Sequence, residues 1–364
     1  MKFLFTSYVR SPEFSQPQEW INRISAYLGV LESLSKQHTV ISIEQINYKG
    51  SYQQKGVQYF FMDFDKRVLH FPWKLHRFIK KQSPDIILIH GMDFPFQVIQ
   101  LRLKMGRGVK IIVQSHGNKI PTGYKKILQQ IADKCINAYF FTSKEMSKPW
   151  LKEKLILTEK KIHEVMVGSS VFYPMDKQTA RLKKDSKDSL VFLWAGHLDK
   201  NKDPLTVVKA FLRFVPECPE AQLYMIYQSG ELLEEIEMLL KESIFKNNII
   251  LVGKVLHDDM LHWFSSSDFF ISGSHFEVFG AAVVEAMSCG CVPVITGIPS
   301  FQKITGNACG LLYKAGDEEA LINTLQQAVK MDLDKEREKV FRQFQQHLSF
   351  EAIAVKIQEA AISL

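Results

Sequence analysis

Short apolar runs alternate with longer amphipathic segments along most of the chain. In the first half, runs at 2–9, 39–44, 57–61, 84–90, 109–115, 138–142 and 163–167 have the length and composition of buried strands. The segment 20–35 instead repeats apolar residues, such as Ile21, Ile24 and Leu28, at helical spacing. A strand, a helix and a second strand in this order are typical of a parallel α/β domain.

The second half repeats the alternation without repeating the sequence. Predicted strands at 190–195, 223–227, 249–252, 269–272 and 292–296 alternate with helices at 204–215, 231–243, 258–267 and 279–289, and further helices follow at 318–330 and 334–347. The segment 173–189 between the halves is polar and low in apolar residues, as in an interdomain linker. We therefore expect an α/β fold of two Rossmann-like doubly wound domains, at 1–172 and 190–347.

The composition is ordinary for a globular enzyme, with 364 residues that are 46% hydrophobic and 23% charged. No run reaches the eighteen apolar residues of a membrane span, and the first ten residues lack the pattern of a signal peptide. These features predict a cytoplasmic protein. The five cysteines contain no C-x-x-C pair, which favours free buried thiols over a zinc site.

The positive charge is concentrated in the first half. Residues 1–172 carry 26 Lys and Arg against 13 Asp and Glu, whereas residues 173–364 carry 20 against 26. The first half therefore has a net charge of +13, which indicates an anionic partner such as an acidic glycan, a lipid phosphate or the inner membrane surface. The basic, aromatic segment 66–81 is a candidate for that surface, although an ordinary helix that packs one face on the sheet explains the same pattern.

The stretch 274–290 has the strongest chemical pattern in the sequence. Glu277 precedes Gly280, where a helix is expected to begin, and Glu285 follows eight positions after Glu277. The free N–H groups of a first helical turn bind phosphate well, and a carboxylate further along the helix accepts hydrogen bonds from hydroxyl groups. The pattern suits a ligand that joins a sugar, a phosphate and a nucleoside.

The same stretch resembles a known family. Ser274, Glu277, Phe279, Gly280, Glu285, Ala286, Met287 and Gly290, followed by Pro293 and Val294, resemble the E-x7-E signature of retaining GT-B glycosyltransferases of family 4, the group 1 class. The resemblance implies two domains facing across a cleft. Residues 1–172 would bind the acceptor, 190–347 the nucleotide sugar, and the helix 348–364 would cross back to the first domain.

The resemblance also implies roles for individual residues. The family pattern after the first strand of the second domain is Gly-Arg-Leu followed by a Lys, and here Lys202 matches the Lys whereas His197 replaces the Arg. Lys202 and the helix start at Gly280 would stabilise the leaving diphosphate without a metal, with Ser274 beside them in the donor site. Glu277 would position the donor sugar, Glu285 would bind the ribose, and His116 would contact the transferred sugar.

These roles imply a metal-independent hexosyltransferase that uses a UDP- or GDP-linked sugar and needs no further cofactor. The acceptor would be a hydroxyl of a glycan or of a lipid-linked molecule, in cell-surface polysaccharide or lipopolysaccharide synthesis. We expect no nucleic-acid partner, and a location in the cytoplasm or at the inner face of the membrane.

Two other interpretations remain open from the sequence. Asp63 and Asp65 form a D-x-D, and two acids at this spacing can share a divalent cation, so a metal-dependent transferase is one alternative. The other is a non-catalytic protein that binds sugar nucleotides. His197 in place of Arg and the absence of glycine from the loop 6–12 motivate it.

Overall fold

The computed structural model describes residues 1–176 and 190–364, and the chain divides into two compact units. The first unit contains residues 1–169 together with 350–364, and the second contains 170–349. The expected linker 173–189 lies mostly outside the described residues, because only 173–176 of it are described. Each unit is built on its own parallel sheet.

The sheet of the first unit has eight strands in the order β3-β4-β2-β1-β5-β6-β7-β8. The strands are Lys2–Ser7 (β1), Thr39–Gln45 (β2), Gly50–Gln54 (β3), Val57–Met62 (β4), Ile86–His90 (β5), Lys110–Gln114 (β6), Ala138–Phe141 (β7) and Ile162–Glu164 (β8). They pair in parallel except for β3 with β4. The strand order reverses direction between β1 and β5, and ligands of such sheets bind at the carboxyl ends beside this switch point.

Helices cover both faces of this first sheet. They are Pro17–Arg23 (α1), Ser25–Ser35 (α2), Lys66–His70 (α3), Trp73–Lys81 (α4), Pro95–Met105 (α5), Tyr124–Asp133 (α6) and Lys148–Lys152 (α7). One buried core joins Leu4, Ile41, Ile87 and Ile111 of four neighbouring strands to the inner faces of α4, α5 and α6. The alternation of side chains along each strand assigns these residues to one face of the sheet.

The second unit has a six-stranded sheet in the order β11-β10-β9-β12-β13-β14. Its strands are Leu190–Leu198 (β9), Ala221–Gly230 (β10), Ile249–Gly253 (β11), Phe269–Ser272 (β12), Val292–Thr296 (β13) and Leu311–Tyr313 (β14), all paired in parallel. The order reverses between β9 and β12, where Phe192 stacks on its partner Phe269 with ring centroids 4.9 Å apart. The loops after β9 and β12 therefore meet at the switch point.

The helices around this second sheet follow its strands in sequence. They are Pro204–Phe214 (α8), Leu233–Glu242 (α9), Met260–Ser266 (α10), Ala281–Ser288 (α11), Pro299–Thr305 (α12), Glu318–Ala328 (α13) and Leu333–Gln343 (α14). A turn of π-helix at Phe344–Leu348 ends the unit. Asp203 caps α8 by accepting from the Thr206 N–H, and Pro204 occupies the first turn, as the Asp-Pro pair predicts.

The last helix, Phe350–Ile362 (α15), belongs to the first unit and packs against α2. Gly29 of α2 allows this packing, because a Cβ atom there would lie 2.3 Å from the ring of Phe350. The outer part of α15 adds an exposed ion pair between Glu351 and Lys36, with a 3.4 Å separation.

The structure corrects several expectations about helix continuity. The predicted helix 20–35 is two helices that meet at Ile24, and the predicted helix 66–81 is broken at Phe71 and Pro72. The second break follows from chemistry, because proline has no N–H to donate and disfavours a helical residue before it. The strand predicted at 190–195 continues to Leu198 and includes His197.

Other features agree with the sequence or add to it. All five cysteines are free thiols, four of them buried and Cys135 partly buried. In the described part of the chain, no helix is both long and apolar enough to cross a membrane.

Candidate functional site

The N-terminus of α11 forms the centre of the candidate site in the second unit. Gly280 precedes the helix with φ +62°, and a Cβ atom there would lie 2.6 Å from the Phe301 ring, so both backbone and space favour glycine. The Gly280 carbonyl accepts from the N–H groups of Val283 and Val284. Within the described residues, the N–H groups of Gly280 and of the two alanines after it have no backbone acceptor, so they can bind an anion.

A lysine and a glutamate from two different loops form an ion pair, and the glutamate lies a few residues before the start of α11. Lys202 follows β9, and its Nζ contacts Oε1 of Glu277, three residues before Gly280. The side chains are 26% and 15% exposed, respectively. An ion pair with so little solvent access is weakly screened, and Lys202 keeps two further N–H donors for a ligand.

Asn201 connects the two loops that supply this pair. Its side-chain amide donates to the Phe276 carbonyl and accepts from the Phe276 N–H, with both distances 3.1 Å. Its carbonyl accepts from the His275 N–H at 2.8 Å. Three hydrogen bonds from one residue therefore set the position of Lys202 relative to Glu277.

A second connection between the loops runs through Asp203. This residue adopts φ +45°, an uncommon conformation for a residue other than glycine, and its Oδ2 accepts from His275 Nε2 at 3.1 Å. Gly273 lies against the backbone of the other loop. A Cβ atom at this position would be 2.8 Å from the Asp203 carbonyl oxygen and 3.0 Å from that of Lys202. The two backbones thus approach too closely for any other residue at 273.

Glu285 lies further along α11 and has a histidine partner. His257 Nε2 donates to Glu285 Oε1 at 2.9 Å. The hydrogen bond to Glu285 raises the pKa of His257 against the opposing effect of desolvation, and the charges of Glu285 and Asp258 add to the increase. The His257 ring also packs on Phe172, with ring centroids 4.9 Å apart.

The two remaining donor-site candidates occupy different positions. Ser274 is fully buried, its hydroxyl lies 3.1 Å from that of Ser272, and its carbonyl accepts from Thr296 Oγ1 at 2.6 Å. Tyr313 supports the same loop by donating to the Ser272 carbonyl at 3.0 Å. His197 is exposed near the end of β9. Ser274 therefore stabilises the loop through buried hydrogen bonds, whereas His197 faces solvent.

His116 belongs to the first unit, where it follows β6. Its Nε2 lies 3.2 Å from Nδ1 of His90, the last residue of β5 at the switch point. Burial lowers the pKa of His90 to about 3, with a further contribution from His116, and partial desolvation lowers the pKa of His116. Two neutral histidines can share one hydrogen bond, with one ring donating and the other accepting. Asn118 orients the turn by accepting from the His116 N–H at 3.0 Å.

The D-x-D pair has a different environment from the one expected of a metal site. Arg10, from the loop that lacks glycine, donates two hydrogen bonds to Oδ1 of Asp63, at 3.0 and 2.5 Å. Asp65 is exposed just before α3. Among residues 1–176 and 190–364, no group of three or more His, Cys, Asp or Glu side chains is arranged to bind a metal ion. In this structure Asp63 is the partner of Arg10.

Three residues that connect the loops and helices of the site were not predicted from the sequence, namely Asn201, His257 and His275. None of them carries a local pattern that indicates its role, since each acts on a loop or helix distant in sequence. The resemblance did bring Lys202 and Glu277 into one site, and their contact is observed.

Comparison with known proteins supplies the family. Residues 176–346 match the family model described as glycosyl transferases group 1. This part of the chain is a glycosyltransferase group 1 domain. It contains Lys202, Glu277 and Glu285, and hence the whole of the loop contact described above.

Relatives and solved structures agree with this group 1 domain. The chain is 30% identical over 182 residues to a poly(glycerol-phosphate) alpha-glucosyltransferase of Bacillus subtilis, covering 50% of this chain and 25% of that protein. It is 21% identical over 234 residues to a GDP-mannose:cellobiosyl-diphosphopolyprenol alpha-mannosyltransferase of Xanthomonas oryzae, covering 62% of this chain and 60% of that protein. The chain thus spans a quarter to about 60% of these two relatives.

The similarity to solved structures extends beyond the group 1 domain. The Anabaena protein HepE, crystallised with UDP, superposes with a TM-score of 0.71 at 13% identity and covers the full length of both chains. The chain therefore has the GT-B fold, with one doubly wound parallel sheet in each unit.

Proposed function

We propose that the protein is a retaining glycosyltransferase that moves a hexosyl unit from a nucleoside diphosphate sugar to a hydroxyl group, without a metal ion. The observation that carries the proposal is the contact of Lys202 with Glu277, just before the free N–H groups at Gly280. A lysine, a carboxylate and a helix N-terminus together suit a ligand with both a diphosphate and a sugar.

The difficult step in such a transfer is departure of the diphosphate. Negative charge grows on the leaving phosphate while the anomeric carbon becomes cationic. Lys202 and the N–H groups at Gly280 are already oriented, so they can stabilise the leaving charge without reorganising. Glu277 would accept from hydroxyl groups of the donor sugar, and Glu285 from those of the ribose. His116 of the first unit would contact the transferred sugar.

The relatives support a donor and an acceptor class. The Xanthomonas relative is named for a GDP-linked mannose and a diphosphopolyprenol acceptor, and the HepE structure contains UDP. We therefore propose a UDP- or GDP-linked donor and an acceptor that is a glycan or a lipid-linked glycan, in the assembly of cell-surface polysaccharide or lipopolysaccharide. The first unit, with its excess of positive charge, would bind this acceptor.

A surface of the first unit supports action at an anionic membrane. Tyr124, Ile127 and Ile131 of α6 are 71%, 60% and 45% exposed, and their spacing places them on one face of the helix. The segment 66–134, which includes this helix, contains 14 Lys and Arg against 3 Asp. An exposed apolar stripe among unbalanced positive charges suits an interface with anionic lipid.

Nucleotide-dependent thermal stabilisation tests the proposed donor site. We would measure the melting temperature with UDP, GDP and ADP, each with and without EDTA, for the native protein, Lys202→Ala and Glu285→Ala. The proposal expects one nucleotide to raise the melting temperature regardless of EDTA, by less in both variants. A shift that requires Mg²⁺ and survives both substitutions would contradict it and favour the site at Asp63 and Asp65.

A further inference from the structure

Glu285 is a shielded carboxylate with a single side-chain partner. It is 15% exposed, and among the described residues only His257 donates to it, through Oε1. A carboxylate has two oxygens and accepts several hydrogen bonds, so Oε2 remains available for a ligand hydroxyl. His257 thus orients the carboxylate without occupying it.

The His257 ring is accessible to solvent on one side and supported on the other. Its side chain is 56% exposed, so it exchanges protons with water readily. Phe172 packs on one face of the ring and in turn contacts Phe264 of α10, with ring centroids 6.1 Å apart. The aromatic support limits the orientations that the imidazole can adopt while it bonds to Glu285.

Within residues 1–176 and 190–364, the charges that raise the pKa of the His257 ring belong to Glu285 and Asp258. Glu285 faces it from α11, and Asp258 and Asp259 lie on the same short turn, whereas Phe172 brings no charge. Cys289, directly after α11, stays a neutral thiol because burial raises its pKa to about 11. The neighbours that act on His257 are therefore acidic, and they favour its protonated form.

We propose that protonation of His257 controls the affinity of this site for the nucleoside diphosphate group, by neutralising Glu285 next to an anionic ligand. The inference rests on the proposed function, since it takes Glu285 as the ribose ligand. When His257 is protonated, the pair has no net charge. When His257 is neutral, Glu285 presents a full negative charge to the ligand.

The sign of the pH dependence follows directly. The folded pKa of His257 is raised, so the charged ion pair is complete at pH values below the ordinary histidine pKa and is lost as pH rises through the folded value. Affinity for the nucleotide should fall over the same range, with net proton uptake on binding. We expect a loss of about five- to tenfold between pH 6 and 8.5, the size of a modest coupling between two sites.

Isothermal titration with UDP-glucose and GDP-mannose measures this coupling. The diphosphate of a nucleotide sugar does not change its charge over this pH range, so the ligand adds no pH dependence of its own there. Titrations in two buffers with different ionisation enthalpies give the number of protons taken up. The protein variants are His257→Gln, Glu285→Gln and, as a control, His70→Gln, which removes an exposed histidine from the first unit.

His257→Gln keeps a hydrogen-bond donor but cannot be protonated. It should bind like the native protein at pH 8.5, bind five- to tenfold more weakly at pH 6, and take up no proton. His70→Gln should keep the native pH profile. A native profile without slope, or a slope that persists in His257→Gln, would overturn the inference.

The same titrations separate this inference from the proposed function. Binding that weakens in Glu285→Gln but shows no pH dependence contradicts only the role of His257. If neither nucleotide sugar binds at pH 6 or 8.5, the donor site itself is wrong and the inference is overturned with it.

Discussion

At the scale of single residues, the site depends on side chains whose charges are balanced by one neighbour. Lys202 and Glu277 are both largely shielded from solvent, whereas in the pair of His257 and Glu285 only the carboxylate is shielded. Removal of one partner leaves the other partly buried without its counter-charge, which costs more than an exposed pair contributes. We therefore expect substitutions at these positions to affect folding as well as the proposed binding, and a control is needed to separate the two effects.

Lys202→Ala should reduce glycosyl transfer from the donor by about 10²- to 10³-fold, because an oriented group that stabilises developing charge in the transition state is lost. The measurement is kcat/KM with the donor identified by thermal stabilisation. Lys200→Ala is the matched control, since this lysine is exposed on the same loop. Equal losses in both variants would show that general electrostatic attraction, rather than the Lys202 contact, is responsible.

The neutral pair of His90 and His116 predicts a loss of stability in acid. Both folded pKa values are lowered, so the contribution of the pair is complete above the ordinary histidine pKa of about 6.5 and is lost as pH falls through the folded values, of which that of His90 is about 3. The free energy of unfolding should fall by up to about 1.4 kcal/mol per pH unit over the range in which His90 takes up a proton on unfolding. The exposed His116 should add less, because solvent screens it. Urea denaturation of the native protein and His90→Gln between pH 4 and 8 measures this. The variant should show a shallower dependence, and identical slopes would contradict the prediction.

At the scale of elements, the candidate site is formed where the loops after β9 and β12 contact each other. Gly273→Ala would insert a Cβ atom 2.8 Å from the Asp203 carbonyl oxygen, so one loop must move. We expect a loss of about 1–3 kcal/mol in stability, typical of overpacking, and weaker nucleotide binding. Gly108→Ala is the control, because a Cβ atom there meets nothing within 4 Å. Unchanged binding in Gly273→Ala would show that the loop contact does not shape the site.

The elements were more predictable than the contacts between them. Strands such as Phe269–Ser272 and Val292–Thr296 lie where the apolar runs placed them, because a strand buried on both faces needs a continuous apolar sequence. Pro72 is a sequence signal for the helix break at Phe71 and Pro72, but the helical spacing of apolar residues around it led to the prediction of one continuous helix. The first-sheet strand Gly50–Gln54 was missed because it is an exposed, polar edge strand.

The candidate site was predictable only where a motif reports it. The pattern from Glu277 to Glu285 located the start of α11, which we propose as the anion site. The partners of these residues were not predictable, because Asn201 and His257 lie 75 and 28 positions away from the groups they bond, Phe276 and Glu285. Hydrogen bonds over such separations depend on the sheet order, which no single segment encodes.

At the scale of the whole molecule, charge and exposed apolar surface predict membrane association by the first unit. Replacement of Tyr124, Ile127 and Ile131 together by Ser should reduce co-sedimentation with vesicles that contain phosphatidylglycerol by about tenfold or more, because each side chain loses apolar area to bury. Ile244→Ser is the control, since Ile244 is an exposed apolar residue of the second unit. Binding of the native protein should also weaken at high salt and be absent with neutral vesicles. Equal binding by the triple variant would place the membrane contact elsewhere.

The return of the last helix to the first unit has a consequence for synthesis on the ribosome. Residues 170–349 emerge as one continuous segment, so the six-stranded sheet has all of its strands before α15 is made. The first unit must wait until Phe350 can pack against Gly29 of α2. We therefore expect the domain that is translated first to be the last to finish folding.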